Sequence, residues 1–361
     1  MWLPTPPNSG SYSMDRYWRE LDRVKNSSEH DDFVFSSLLK GPPENTREAG
    51  RWVRAAARYM AYPLRAVMAK PMSVFHLLDH SHAHVLRFLG RKGKKIVTVH
   101  DLFPIRDSSG MTASQVNRFR DKLHELRRAD LILVNSDITG ASVKEFLGVN
   151  CPPYERVAMG VDNQAFSGKL RIPIPELENL ASGPIVLCVG SNQRRKNLAI
   201  LPDVFERALV HLDRLTFIRV GPRLEASIRS RLQAYEPRLQ IVELSDLSEE
   251  KLISVYQRAD VLFFPSILEG FGFPTIEAMA AGTPVVASNA TAMPEINGDA
   301  ALYFQPTDSS RAAELLVRVL KNQQLAEVLR QKGRKQALQF DWKCHFELLC
   351  EYYRSVAGTQ L

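Results

Sequence analysis

The sequence predicts an α/β protein built from two doubly wound parallel-sheet domains. Three observations carry that expectation. At 361 residues the chain is too long for one ordinary hydrophobic core and suits two domains of common size. Short β-rich runs alternate with helical patterns along most of its length. Those runs are continuously apolar rather than alternating, as expected of strands covered on both faces.

The second half shows the alternation most clearly. Residues 184–190 form an apolar run ending in Gly190, followed by a helical stretch over 198–212 and a strand over 215–220. A helix near 225–235, a strand at 239–244 and a helix at 248–258 come next, the last opened by Ser248-Glu249-Glu250. A strand at 261–265, a helix at 274–281 and a strand at 283–287 complete the repeat. In the first half, residues 73–78, 95–99 and 130–134 read as strands, with helical patterns over 12–24, 46–68 and 114–128. A strand should precede residues 4–10, yet the chain begins there, so either that strand is missing or the sheet has an unusual edge. The Pro-rich passage 163–183 lacks periodicity and reads as a linker between domains at 1–165 and 180–340. After Pro306 the pattern is wholly helical, and the last helix, 342–356, carries Trp342, Phe346, Tyr352 and Tyr353.

Composition narrows the class. Apolar residues make up 45% and charged residues 24%, ordinary for a globular protein outside a membrane. No apolar run approaches the about 18–20 residues that span a bilayer, and the first residues lack a signal peptide's basic flank and apolar stretch. Four cysteines without a CxxC pair read as reduced thiols of a cytoplasmic protein. Charge is uneven: residues 1–150 hold 23 Lys+Arg against 16 Asp+Glu, a balance of +7, whereas residues 151–361 hold 24 of each. Residues 51–100 contain ten basic residues and one acid, Asp79. That suggests an anionic partner, such as a membrane surface or a phosphorylated acceptor, or simply a solvated basic helix. Arg47, Arg51, Arg54 and Arg58 recur at helical intervals and would form a cationic face.

The most specific segment runs from Phe263 to Val286. A buried strand ending at Pro265 opens into a loop containing Gly270, Phe271 and Gly272, and a helix then starts near Phe273-Pro274. Backbone N–H groups and the positive dipole end of that helix suit an anion. Glu269 in the loop and Glu277 one turn into the helix, eight positions apart, can both face one ligand. Carboxylates only accept hydrogen bonds, so they hold sugar hydroxyls and leave phosphates to the amides. A second segment, Val189-Gly190-Ser191-Asn192-Gln193-Arg194-Arg195-Lys196-Asn197, lies where a strand gives way to a helix. Gly190 permits the turn, and the cations can neutralise a departing diphosphate. In the first domain, His100 and Asp101 stand at a strand's end, and Gly10 sits in a small-residue loop, Asn8-Ser9-Gly10-Ser11. His76, His80, His82 and His84 have a spacing that would allow a metal site, but only Asp79 accompanies them.

The string EGFGFPTIEAMAAGTPVVAS, with its sequel Met293-Pro294-Glu295-Ile296-Asn297-Gly298, resembles the E-x7-E signature of glycosyltransferase family 4 (group 1). The Arg195-Lys196-Asn197 segment is similar to that family's RKN segment, and His100-Asp101 to its HD pair; Arg194 stands where many relatives carry a neutral residue. The resemblance spans nearly the whole chain, strongest over 184–306. It implies a GT-B fold, two Rossmann-like domains facing a central cleft, and a retaining hexosyltransferase that needs no metal and no cofactor. By resemblance Glu269 and His100 contact the transferred sugar, Glu277 the ribose, and Arg195 and Lys196 the leaving diphosphate. Gly10, Gly190, Gly270, Phe271, Gly272, Phe273 and Pro274 would line the donor pocket, and Asp101 would orient the acceptor hydroxyl. The expected partners are a nucleotide sugar, a glycan or lipid-linked acceptor of the kind used in polysaccharide or lipopolysaccharide biosynthesis, and the inner face of the membrane through the basic region 47–95; no nucleic acid is expected. Alternative readings are a sugar phosphorylase or epimerase of the same fold, or a non-catalytic nucleotide-sugar-binding subunit of a polysaccharide assembly complex.

Overall fold

The computed structural model describes residues 1–4, 12–27, 33–39, 55–108, 111–168, 172–178 and 180–358. The chain divides into two compact units, Met1–Gly160 with Trp342–Leu361, and Val161–Asp341.

The first unit is built on five parallel strands in the order β1-β2-β3-β4-β5: β1 Trp2–Leu3, β2 Val74–Leu77, β3 Lys94–Val99, β4 Leu131–Val134 and β5 Tyr154–Arg156. The strand expected ahead of Pro4 is therefore present, two residues long and paired with His76 and Leu77. On its other flank Trp2 bridges Ser37 in parallel. The chain thus steps outward from β1 and returns to add β2 on the opposite side, which makes β1–β2 the point where strand order reverses. Strand β5, Tyr-Glu-Arg at the sheet edge, has no buried apolar run and left no sequence signal.

The terminal helix, Trp342–Ala357, packs in this first unit through hydrogen bonds that its aromatic residues make. Trp2 Nε1, which can only donate, donates to Tyr353 Oη at 3.1 Å, and the Tyr353 hydroxyl lies 2.6 Å from His76 Nδ1. His76 Nε2 is 2.8 Å from Thr98 Oγ1, so one chain of bonds ties the terminal helix to β2 and β3. Tyr17 Oη meets His345 Nε2 at 3.1 Å, and His345 Nδ1 is 2.7 Å from the Ala158 carbonyl oxygen.

The second unit holds six parallel strands in the order β11-β10-β9-β6-β7-β8: β6 Ile185–Val189, β7 Leu215–Val220, β8 Leu239–Leu244, β9 Val261–Phe264, β10 Val285–Ser288 and β11 Ala301–Phe304. All but β11 match runs read from the sequence. The core lies where the helices Leu201–Leu209 and Ser309–Lys321 cover the sheet, with the Phe205 and Phe217 rings 4.9 Å apart and Phe263 stacked on Phe304 at 5.4 Å. Burial of each such side chain stabilises the unit by about 1.5–3 kcal/mol.

The passage read as a linker between the domains is folded onto this unit. It contains the helix Asn163–Ser167, and Ile172 N donates to Ser254 Oγ at 2.9 Å. Gln257 Nε2 donates to the Phe166 carbonyl at 2.8 Å and Arg258 Nη2 to that of Ile172 at 3.1 Å. Its lack of periodicity reflects backbone groups that find partners on the helix Glu249–Arg258 rather than in regular structure.

Candidate functional site

In the second unit, β6 to β8 build outward on one side, and β9 then crosses to the other flank of β6. Ligands of open parallel sheets bind beyond the carboxyl ends of strands at such a reversal. The two motif segments leave the sheet there side by side, although they lie about 70 residues apart in sequence.

After β6 the chain turns at Gly190, whose φ of 144° lies in the region that favours glycine. A Cβ at this position would come within 3.3 Å of Lys196 Cε, so the glycine also makes room for the lysine stem. The tight turn Arg194–Lys196 follows, ended by Asn197 in the left-handed conformation at φ 55°. Asn197 Nδ2 donates to the carbonyls of Pro265 and Pro306 at 3.1 and 2.8 Å, clamping three loops together. Ile267 N donates to the Arg195 carbonyl at 2.8 Å, which sets the two motif loops in register.

These contacts bring Glu269 between the two cations. Lys196 Nζ donates to Glu269 Oε1 at 2.6 Å, and Arg195 Nη1 to Glu269 Oε2 at 3.0 Å and to the Leu268 carbonyl at 3.2 Å. Lys196 also lies 5.0 Å from the centre of the Phe264 ring. Both Lys196 and Glu269 are buried. Burial alone pushes the Glu269 carboxyl up, but the charges of Lys196 and Arg195 outweigh it and hold the group below its ordinary value of 4.5. The carboxylate is therefore ionised, and the triad carries a net charge of +1. The Glu269 backbone N–H donates to Thr291 Oγ1 at 2.8 Å, from a residue itself held at φ 50°. The sequence reading treated the acid and the cations as separate contacts to a ligand; the structure joins them directly.

Glu277 is buried in the helix Phe273–Ala281 and accepts a hydrogen bond from Tyr256 Oη at 2.7 Å. Gly272 caps that helix at φ 90°, with Pro274 in its first turn, and Gly270 is buried beside it. Phe271 is a packing residue: its ring is buried 5.2 Å from Phe273 and 5.5 Å from Phe340.

Sequence reasoning missed Arg219, the largest fully buried side chain. Its Nη1 donates to the carbonyls of Cys188 and Val220 at 3.3 and 2.6 Å. Its Nη2 donates to those of Gly190 and Ser191 at 2.6 and 3.1 Å and to Asn192 Oδ1 at 3.2 Å. No carboxylate is among these five partners, so the guanidinium both shapes the Gly190 loop and adds buried positive charge under the loop that leads to Arg195 and Lys196. A lone arginine inside the apolar run Leu215-Thr216-Phe217-Ile218-Arg219-Val220 was the available signal.

In the first unit, His100 leaves the end of β3, and its Nε2 is 2.8 Å from the Leu78 carbonyl oxygen. Its backbone N–H faces His80 Nδ1 at 3.4 Å, and its carbonyl accepts from Asn135 Nδ2 at 2.8 Å. Burial lowers its pKa, partly opposed by the Leu78 carbonyl and the Asp79 charge. Asp101 Oδ1 accepts from Phe103 N at 3.2 Å and caps the short helix Phe103–Arg106. Gly10, Arg47, Arg51 and Arg54 lie outside the described residues. Of the four alternating histidines, His80 and His82 flank the Asp79 carboxylate at 3.8 and 3.4 Å, whereas His76 bonds to Tyr353 and Thr98 and His84 meets the Arg58 carbonyl. Among the described residues no group of three or more His, Cys, Asp or Glu is placed to hold a metal ion.

Two Rossmann-like units, each built on an open parallel sheet, give the chain a GT-B fold. Residues 175–336, most of the second unit, match the family "Glycosyl transferases group 1". The chain is 28% identical over 262 residues to O-antigen chain mannosyltransferase B of Escherichia coli, covering 70% of this chain and 68% of that protein. It is 25% identical over 327 residues to the serotype-specific mannosyltransferase WbdA of Escherichia coli, covering 87% of this chain but only 40% of that longer protein. Among solved structures it resembles sucrose-phosphate synthase from Thermosynechococcus elongatus, with a TM-score of 0.72, 20% identity and 99% of both chains covered, a likeness that bears on the fold alone.

Proposed function

We propose that this chain transfers a hexose, mannose on the pattern of its relatives, from a nucleotide diphosphate sugar to a glycan or lipid-linked acceptor, with retention of configuration and without a metal ion. The observation that carries this reading is the buried Glu269–Lys196–Arg195 cluster. As the sugar–phosphate bond breaks, charge accumulates on the diphosphate, and a preorganised cationic site stabilises that charge more than it stabilises the ground state. Lys196 has three N–H donors and uses one on Glu269, which leaves it able to reach a phosphate oxygen while Glu269 fixes its position. Glu269 would accept from hydroxyls of the transferred sugar, Glu277 from the ribose, and the loop from Gly270 to Phe273 would offer backbone amides. For the first unit we assign His100 to the sugar and Asp101 to the acceptor hydroxyl. A lipid-linked acceptor would bring the enzyme to the inner face of the membrane, in keeping with the positive balance of residues 1–150.

The test is a panel of nucleotide sugars offered to the purified chain with and without EDTA, alongside calorimetry with nucleoside diphosphates. Turnover of one sugar nucleotide that survives EDTA, with Lys196→Ala losing most of both turnover and diphosphate affinity, is the expected result. A strict metal requirement, or unchanged affinity in Lys196→Ala, overturns the mechanism.

A further inference from the structure

Transfer chemistry gives no reason for one surface of the first unit. The π turn Ala57–Ala61 runs directly into the α-helix Tyr62–Met68. One side of this helix is packed: Tyr62, Pro63 and Ala66 are buried, and Tyr62 Oη donates to the Pro4 carbonyl at 2.6 Å. The other side should be polar. Instead Met60 is 71% exposed, Leu64 58%, Val67 50% and Met68 65%. Positions 60, 64, 67 and 68 follow helical spacing and form one apolar stripe. The neighbouring helix Leu86–Leu89, which packs on this one, leaves Phe88 partly exposed as well. Three of the four arginines of the expected cationic face lie outside the described residues; beyond Arg58 the helix turns hydrocarbon outward, and a contiguous exposed apolar stripe marks an interaction surface.

Charge selects the partner. Arg65, Lys70 and Arg91 are exposed near the stripe and make no ion pair among the described residues. Lys92 is engaged, closing the end of the helix by donating to the carbonyls of Ala66, Val67 and Ala69. The one acid in residues 51–100, Asp79, is buried. An apolar stripe whose own segment, residues 51–100, carries ten cations and a single buried acid fits an anionic lipid bilayer, whose acyl boundary takes the hydrocarbon and whose phosphates meet the cations.

We propose that the face formed by Met60, Leu64, Val67 and Met68, with Arg65, Lys70 and Arg91 at its rim, seats this unit on an anionic bilayer. This deepens the reading of a lipid-linked acceptor, but it rests on surface physics rather than on the active site. The test is co-sedimentation of the full chain with vesicles of phosphatidylcholine alone or mixed with phosphatidylglycerol. Binding is expected to the mixed vesicles only, weakened by salt, and reduced roughly tenfold or more in the double variant Leu64→Glu/Val67→Glu. Val210→Glu, at another exposed apolar position in the second unit, should leave binding unchanged. Absence of binding to the mixed vesicles, or full binding by the double variant, overturns the proposal. So does a dimer in lipid-free solution that the double variant dissociates, because the stripe would then be a contact between copies of the chain. Hydrolysis of the sugar nucleotide, measured in parallel, should be equal in wild type and double variant, which separates failure of docking from failure of the transferase reading.

Discussion

Glu269 has two tasks that pull a substitution in different directions. In the proposed function it accepts from a sugar, and it also compensates the buried Lys196 at 2.6 Å. Glu269→Ala should therefore abolish transfer and also cost about 3 kcal/mol of stability, because it strands a buried ammonium. Glu269→Gln, which keeps the shape, should lose as much activity; its melting temperature decides how much of the loss is charge. Arg219 acts at one remove, through the loop. Arg219→Met leaves the Gly190 and Ser191 carbonyls without their donor, at about 1–3 kcal/mol for each buried acceptor. It should lower diphosphate affinity in calorimetry more than it lowers kcat, and Arg219→Lys should restore only part, since an ammonium cannot span five acceptors.

At the scale of elements, the strands were legible wherever burial on both faces left an apolar run, as in β6, β7 and β9. They were illegible where a strand is two or three residues long or lies at an edge, as in β1 and β5. The site was legible as two motifs because each is local: a strand end, a glycine and a cap. Their placement on one ligand face of the second domain was legible too; what could not be read was the direct pairing of Glu269 with Lys196 and Arg195, which depends on β9 pairing with β6 rather than with β8. The same limit hid Arg219, whose partners come from the neighbouring strand and its loop. The Gly190 turn tests this view. Gly190→Ala must hold a side chain at φ 144° and press its Cβ on the Lys196 stem. It should reduce turnover by an order of magnitude or more, about 1.4 kcal/mol for each tenfold loss, with circular dichroism unchanged.

For the whole molecule, acid is the informative perturbation. Burial lowers His345 from 6.5 to about 4 and pushes His76 and His100 the same way. Between those values the unfolded chain binds protons that the folded first unit refuses, so stability falls as pH drops through that window. The slope reaches about 1.4 kcal/mol per pH unit for each such group. Above the ordinary histidine value neither state is protonated, and the dependence vanishes. Glu269 adds to the loss only at lower pH: its depressed value gives stability that is present above the ordinary carboxyl value near 4.5 and disappears as pH falls through the folded one. Thermal midpoints should thus decline between about pH 6.5 and pH 4, and His345→Phe should flatten that decline while lowering the midpoint at neutral pH through loss of the Tyr17 contact.

The terminal helix has a consequence for how the chain is made. Domains emerging from the ribosome generally fold as units, the earlier one first. Here Trp2, Tyr17 and His76 wait for Tyr353 and His345, which are synthesised some 270 to 350 residues later. The unit translated first is therefore the last to be completed, and the second unit can be finished while its older neighbour still lacks a wall.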